Sequence, residues 1–233
     1  GRPNKNDTDS GTVRYTAAGG TIADFGGTDY YNLEIDGAGT FTTSAALTIA
    51  QNLSVVNVAG ILDLQANPLS VSGTVFNNGT ILLEGSQSIT LASGNDVDSG
   101  TWVYNGGAGG TIADFGAIDY FNLTVNGTGT FFAPADLAVA GNHTLSSGTL
   151  DAAASPVSVA GNFIRISGSF TSTGTLTFNG AGAQAFEPTG STFTNITVNK
   201  SGGTVTLGAS LSLSGTLTIT QGTLNQGGAL TVA

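Results

Sequence analysis

The chain has 233 residues, 109 of them Gly, Ser, Thr or Asn, and only 9% are charged, against a usual ~25%. Fifteen acids against five bases leave a formal charge of −10, and Cys and Met are both absent. This composition excludes a helical bundle, which needs strong helix formers. It also excludes disulfides and thiolate metal sites, a basic nucleic-acid face and an apolar run of about 20 residues long enough to span a membrane. At 39% apolar residues the chain has the material for a folded core rather than for disorder. Translation starts at Met, so Gly1 implies processing or excision from a longer product. The thiol-free, low-charge, Gly- and Thr-rich composition points to a secreted or surface-exposed protein.

Internal repeats organise the chain. NDTDSGTVRY at 6–15 returns as NDVDSGTWVY at 95–104, and GTIADFG at 20–26 returns at 110–116. DYYNLEIDGAGTF from Asp29 returns as DYFNLTVNGTGTF from Asp119, and a degenerate third copy starts near Gly174. The modules are 6–94, 95–168 and 169–233, within one domain spanning 1–233. The offsets are 89 and about 74 residues, so the first module carries about 15 extra residues, placed within 74–94.

A finer period lies inside each module. In the first, LTIAQNLSV at 47–55 is followed 22 residues later by LSVSGTVF. In the second, LAVAGNHTL at 137–145 is followed 20 later by VSVAGNFI. In the third, LSLSGTLTI at 211–219 is followed 19 later by LTVA. Each stretch holds short runs that alternate apolar and polar residues, the period of a strand with one buried face. The alternation turns Leu123, Val125, Leu137, Val139, Val157, Val159, Leu211, Leu213, Leu230 and Val232 inward. It turns Thr124, Ala138, Ser158, Ser212 and Thr231 outward. Gly and Asn between the runs supply the φ > 0 corners. The spacing predicts an all-β fold, a right-handed parallel β-helix (β-solenoid) of 10–12 coils with about 20 residues per coil, each unable to bury its apolar side alone. Asn-Gly, at 78–79, 105–106, 126–127 and 179–180, is also the favoured two-residue hairpin turn. An antiparallel sandwich array is therefore the alternative.

The pattern GT-x-x-YNG-x-G, NLTV-NG-x-GT and L-x-V-x-GN-x-TL-x-SGTLD resembles bacterial β-strand-repeat surface proteins. These are adhesin-like or filament-forming secreted chains of the filamentous-haemagglutinin style. The resemblance covers almost the whole chain except 1–10 and 74–94. It implies a parallel β-helix, an extracellular or cell-surface location, and a structural or adhesive role. It carries over no catalytic residue.

Several positions are candidates for chemistry. Asp7 and Asp9, with their copies Asp96 and Asp98, sit in N-D-x-D-S-G turns, where carboxylates two residues apart are weak Ca²⁺ candidates or plain Asx turns. Asp24 with Asp29, and Asp114 with Asp119, have the spacing of paired carboxylates for work on a glycan. Their other reading is corner capping, which the absence of a neighbouring base favours. His143 is the only His and stands where the first module has Leu53, so a wall position with a partly buried ring is expected. Lys200 and Arg165 are single bases on different coils. Asn32, Asn122 and Asn195 recur at one position, suited to satisfying backbone groups of the next coil. Tyr15, Tyr104 and Phe178, and Tyr30, Tyr120 and Phe193, fill two further repeat positions as core or corner packing. Asn6, Asn52, Asn78, Asn122, Asn126, Asn142, Asn195 and Asn199 open N-x-S/T sequons, which the NLT strand repeat itself explains.

The sequence therefore predicts a non-enzymatic extracellular structural solenoid, either a filament subunit or the stalk of a large adhesin, without a cofactor. Its expected partner is itself, head-to-tail along the axis, with Leu230, Thr231 and Val232 meeting Val13 and Tyr15 of the next copy; surface glycans are a further expected partner. The alternative is a binding module for ice or glycan. Thr is dense after residue 171, but an ice face needs Thr in register on consecutive coils, and Thr48, Ser70, Ala138 and Ser158 vary.

Overall fold

The computed structural model describes residues 8–232. Strands occupy close to half of them, and no helix occurs among them. Among the described residues the paired strands run parallel, and they stack as a β-solenoid of about 11 coils about 20 residues apart. The antiparallel alternative is thereby set aside. The described chain falls into two compact units that divide between Val103 and Tyr104.

In the first unit each coil contributes a short strand to each of three stacks. The first stack is Thr12–Tyr15, Asn32–Ile35, Leu53–Val55 and Val75–Asn77. The second contains Gly19–Ile22, Thr40–Thr43, Ile61–Asp63 and Thr80–Leu83, and the third Leu47–Ile49, Leu69–Val71 and Ile89–Leu91. Tyr30 extends the third stack by a bridge to Ile49. Like residues lie over like: Leu33, Leu53 and Val75 form one inward ladder, and Phe41, Leu62 and Ile81 another. Adjacent rungs are about 4.8 Å apart, so each inward side chain packs on the coil above and the coil below. Outward, Arg14 pairs with Glu34 at 2.8 Å across neighbouring coils.

The second unit repeats the plan. Its first stack is Asn122–Val125, His143–Leu145, Phe163–Arg165 and Gln184–Phe186. Its second is Gly109–Thr111, Thr130–Phe132, Thr149–Ala153 and Ser169–Ser172. The third runs Leu137–Val139, Val157–Val159, Thr175–Phe178 and then the start of the long strand Asn195–Leu207, whose end pairs with Gln184–Phe186. Leu217–Asn225 follows Asn195–Leu207 around the same corner. Phe163, Phe170, Phe186 and Phe193 fill the interior with ring centroids 5.2–6.0 Å apart.

The pairings explain the module lengths. Thr175–Phe178 is the third-module counterpart of Thr101–Tyr104, yet it stacks on Val157–Val159 in the third stack. The Tyr104 carbonyl instead accepts the Asn126 N–H at 2.7 Å, so Thr101–Tyr104 leads into the first stack, at Asn122–Val125. In the first unit the Thr101 N–H donates to the Gly79 carbonyl at 2.9 Å, so this strand lies over the second stack, whereas its counterpart Thr12–Tyr15 belongs to the first. At about 20 residues per coil, an offset of 89 residues is nearly half a coil more than four coils, and 74 is about a third of a coil less. Homologous segments therefore change face from one module to the next. The extra residues at 74–94 are not an irregular insertion: they build the coil Val75–Asn77, Thr80–Leu83 and Ile89–Leu91.

Two corners use left-handed backbone without glycine, at Gln65 (φ 54°) and Ala153 (φ 46°). Both lie two residues after an aspartate, and in both the carboxylate accepts the N–H of the strained residue, Asp63 from Gln65 and Asp151 from Ala153, each at 2.9 Å. The Asx bond offsets the cost of φ > 0.

Candidate functional site

The repeat GTIADFG…DY builds one arrangement twice. In the first unit the chain leaves Gly19–Ile22, forms a loop, and returns at Tyr30. Asp29 is buried, and its Oδ1 and Oδ2 accept the N–H groups of Phe25 (2.9 Å) and Thr48 (2.8 Å). Asp24 closes the loop tip on the Gly26 N–H at 2.8 Å. The Ala23 N–H donates to Tyr15 Oη at 3.0 Å, and the Tyr30 hydroxyl donates to the Ala23 carbonyl at 2.7 Å. The Tyr15 and Tyr30 oxygens are 2.8 Å apart. Since Tyr30 spends its proton on Ala23, Tyr15 must donate to Tyr30, and the three bonds form a closed cycle. In the second unit Asp119 holds Phe115 and Ala138, Asp114 holds Gly116, and Tyr104, Tyr120 and Ala113 close the same cycle.

Burial raises the Tyr104 phenol to about 12 and pushes the Tyr120 and Tyr30 phenols well up, so all three stay protonated at neutral pH. Burial also raises the Asp119 carboxyl, against the lowering effect of its two backbone donors. The paired carboxylates thus do not converge on a shared reacting position. Each is turned to main-chain N–H groups as a loop clamp. Asp119→Ala is expected to leave two donors unpartnered and to cost about 2 kcal/mol. The readout is a lower urea midpoint with new proteolytic cleavage in 114–118, and unchanged values of both contradict the clamp.

Of the Ca²⁺ candidates, Asp7 lies outside the described residues. Asp96 Oδ2 accepts the Asn77 N–H (2.7 Å) and the Ser99 hydroxyl (3.1 Å), and its Oδ1 accepts the Asp98 N–H (3.1 Å). The turn is stitched to the preceding coil by these bonds, and the Trp102 indole N–H holds Asn95 at 3.1 Å. Among the described residues no three His, Asp or Glu side chains cluster with metal-ligand geometry.

The recurrent asparagines sit where the sequence places them. Asn32 Oδ1 accepts the Asn52 N–H, and Asn52 Oδ1 accepts that of Thr74. Asn122, Asn142 and Asn162 continue the scheme to Asn142, Asn162 and Ala185, and Asn195 to Thr216. Each corner amide ties one coil to the next.

Two bases are buried more deeply than the sequence suggests. His143 is fully buried, not partly, in the ladder between Leu123 and Phe163. Lys200, aligned with Gly127, turns inward and is fully buried. Its ammonium donates to the Gly180 carbonyl at 2.6 Å and to Gln184 Oε1, and burial lowers its pKa. Gln184 in turn donates to the Val159 carbonyl at 2.9 Å. Sequence reasoning missed this network, because a lysine in a Gly- and Ser-rich stretch reads as solvated.

Outward on the third stack of the second unit, Ala138, Ser158, Thr177, Thr197 and Thr218 form one ladder, with threonine in register on the last three coils. Shallow depressions of about 160 and 210 Å³ flank its Ala138–Ser158 end, the first beside Ile118 and the second beside Asp136 and Pro156. Among the residues expected to mediate self-association, Thr231 and Val232 are exposed and Leu230 is half-buried. Leu230–Val232 pairs with Leu211–Leu213, and Thr12–Tyr15 pairs with Asn32–Ile35. Val13 is half-buried, and the Tyr15 hydroxyl is committed to the cycle above.

No protein-family model, curated protein or solved structure matches the chain.

Proposed function

We propose that the protein is a structural solenoid of the extracellular surface, acting as a stalk segment of an adhesin-like protein or as a filament subunit that associates head-to-tail. The observation that carries this reading is the use of the polar side chains. Asn32, Asn52, Asn122, Asn142, Asn162 and Asn195 all bond to backbone about 20 residues ahead; Asp29 and Asp119 bridge to the following coil in the same way, and Asp96 to the preceding one. Such joints resist separation of coils along the stack, which is the demand placed on a load-bearing spacer. Association follows the general rule that a heterologous contact that does not close generates a filament, with Leu230, Thr231 and Val232 on one side and Val13 and Tyr15 on the other. Electron microscopy and light scattering on the purified chain test the reading. Extended particles that lengthen with concentration support the filament form, extended monomers support the stalk form, and compact particles at every concentration overturn both.

The ladder of Thr177, Thr197 and Thr218 favours a second reading, an ice-binding face. β-Branched side chains at a fixed rung spacing present methyls and hydroxyls in a stiff array. Thermal hysteresis that Thr197→Lys abolishes supports it, and no hysteresis in the unsubstituted chain removes it.

A further inference from the structure

His143 occupies the middle rung of the ladder Leu123, His143 and Phe163. Its exposure is 0%, and its ring meets Phe163 edge-on at 5.3 Å. Nδ1 lies 3.3 Å from the Leu123 carbonyl oxygen. A carbonyl only accepts, so in the neutral ring the proton sits on Nδ1 and Nε2 carries a bare lone pair. Nε2 is buried with no hydrogen-bond partner. A neutral imidazole tolerates this position, since an unused acceptor is the milder defect. An imidazolium does not, because it adds a charge and an unpartnered N–H donor in an apolar interior.

The surroundings offer the cation no relief. Asn122–Val125, the strand beneath, carries no carboxylate. Phe163–Arg165, the strand above, carries Arg165, a like charge whose Nε is turned to the Gly168 carbonyl at 2.6 Å. The inward residues contributed by the other two stacks over the same coils, Phe131, Leu150, Val139 and Val159, are apolar and buried.

We propose that His143 is an acid-sensitive latch: while neutral it keeps its coil closed, and its protonation opens the coils around His143–Leu145, which close again on neutralisation. Burial holds the imidazole down at about 4 against an ordinary 6.5, with the Leu123 carbonyl raising it only in part. The sign follows from linkage. The opened chain takes up the proton near 6.5 and the closed coil only near 4, so the closed state is fully favoured above about 6.5 and loses ground as pH falls between the two values. The difference corresponds to a shift in the opening equilibrium of about two to three decades. Asp119 works in the opposite sense: its raised carboxyl favours the closed state in acid, and it sits on a loop bonded to Ala138 rather than against the imidazole.

Amide hydrogen exchange on the intact chain at pH 7 and pH 4.5 tests the latch. After correction for intrinsic rates, residues 137–165 should lose protection by about 100-fold in acid. His143→Leu, which installs the residue of the aligned first-module position, should keep protection at both pH values. NMR titration of the single histidine gives a second readout that needs no variant: its ring should protonate near 4, together with loss of protection. Equal acid sensitivity of the parent chain and His143→Leu overturns the proposal, as does protonation near 6.5 with the coils still protected.

Discussion

Phe163→Ala is expected to destabilise the 104–233 unit by about 3–5 kcal/mol, a large share of the ~5–15 kcal/mol that holds an ordinary domain together. The ring is fully buried and meets four neighbours: His143 at 5.3 Å, Phe170 and Phe186 at 5.5 Å, and Phe193 at 6.0 Å. Inside a stack of coils no helix can slide in to fill the void, because each backbone is fixed by hydrogen bonds above and below. The cavity term should therefore sit near the upper end of its range. Phe132 is the internal comparison. Its side chain points out of the solenoid and is 51% exposed, so Phe132→Ala should change stability by less than about 0.5 kcal/mol. Urea unfolding followed by near-ultraviolet circular dichroism measures both, and similar losses for the two variants would contradict the inward assignment of Phe163.

The second large effect belongs to backbone corners. Gly109 has φ +77°, and a Cβ added there would lie 2.0 Å from the Thr130 carbonyl oxygen of the next coil. Gly109→Ala thus combines a left-handed conformation, worth about 1–2 kcal/mol, with a clash against fixed backbone that costs about 1–3 kcal/mol more. Gly116, at φ +114°, has nothing within 4 Å of an added Cβ, and Gly182 has neither neighbour nor positive φ. The expected order of stability loss is Gly109→Ala first, Gly116→Ala second, and Gly182→Ala neutral or slightly stabilising through the unfolded state. Thermal melts of the three variants rank them. A loss at Gly182 matching that at Gly109 would show that the glycines act through composition rather than through coil spacing.

The coil period was legible because it is written in side-chain pairs. Leu137 with Val157 and Leu211 with Leu230 are spaced as neighbouring coils require, and both pairs lie in register. The corner role of Asn32, Asn122 and Asn195 was also readable, since an amide that recurs just before an alternating run has the backbone of the next coil within reach. Substitution of His143 for Leu53 correctly signalled a wall position, but not how completely the ring is enclosed. The change of face between modules was not legible: sequence alignment matches residues by descent, whereas hydrogen bonding matches them by height along the stack. The tyrosine cycles were half visible. Tyr15 and Tyr104, and Tyr30 and Tyr120, align, but the third member is the backbone of Ala23 or Ala113, which no side-chain pattern encodes. Lys200 was illegible for a related reason, since its partners are the Gly180 carbonyl and Gln184 on an earlier coil.

A parallel, in-register stack of coils is the claim on which the loop clamps, the asparagine joints and the histidine latch all depend. Backbone NMR contacts test it most directly. In a parallel ladder the difference between paired residue numbers stays constant along a strand, and in an antiparallel one the sum does. The solenoid predicts contacts of Leu123 with His143, Thr124 with Thr144 and Val125 with Leu145, continued by Thr144 with Ile164. Contacts in which one number rises as the other falls would contradict it.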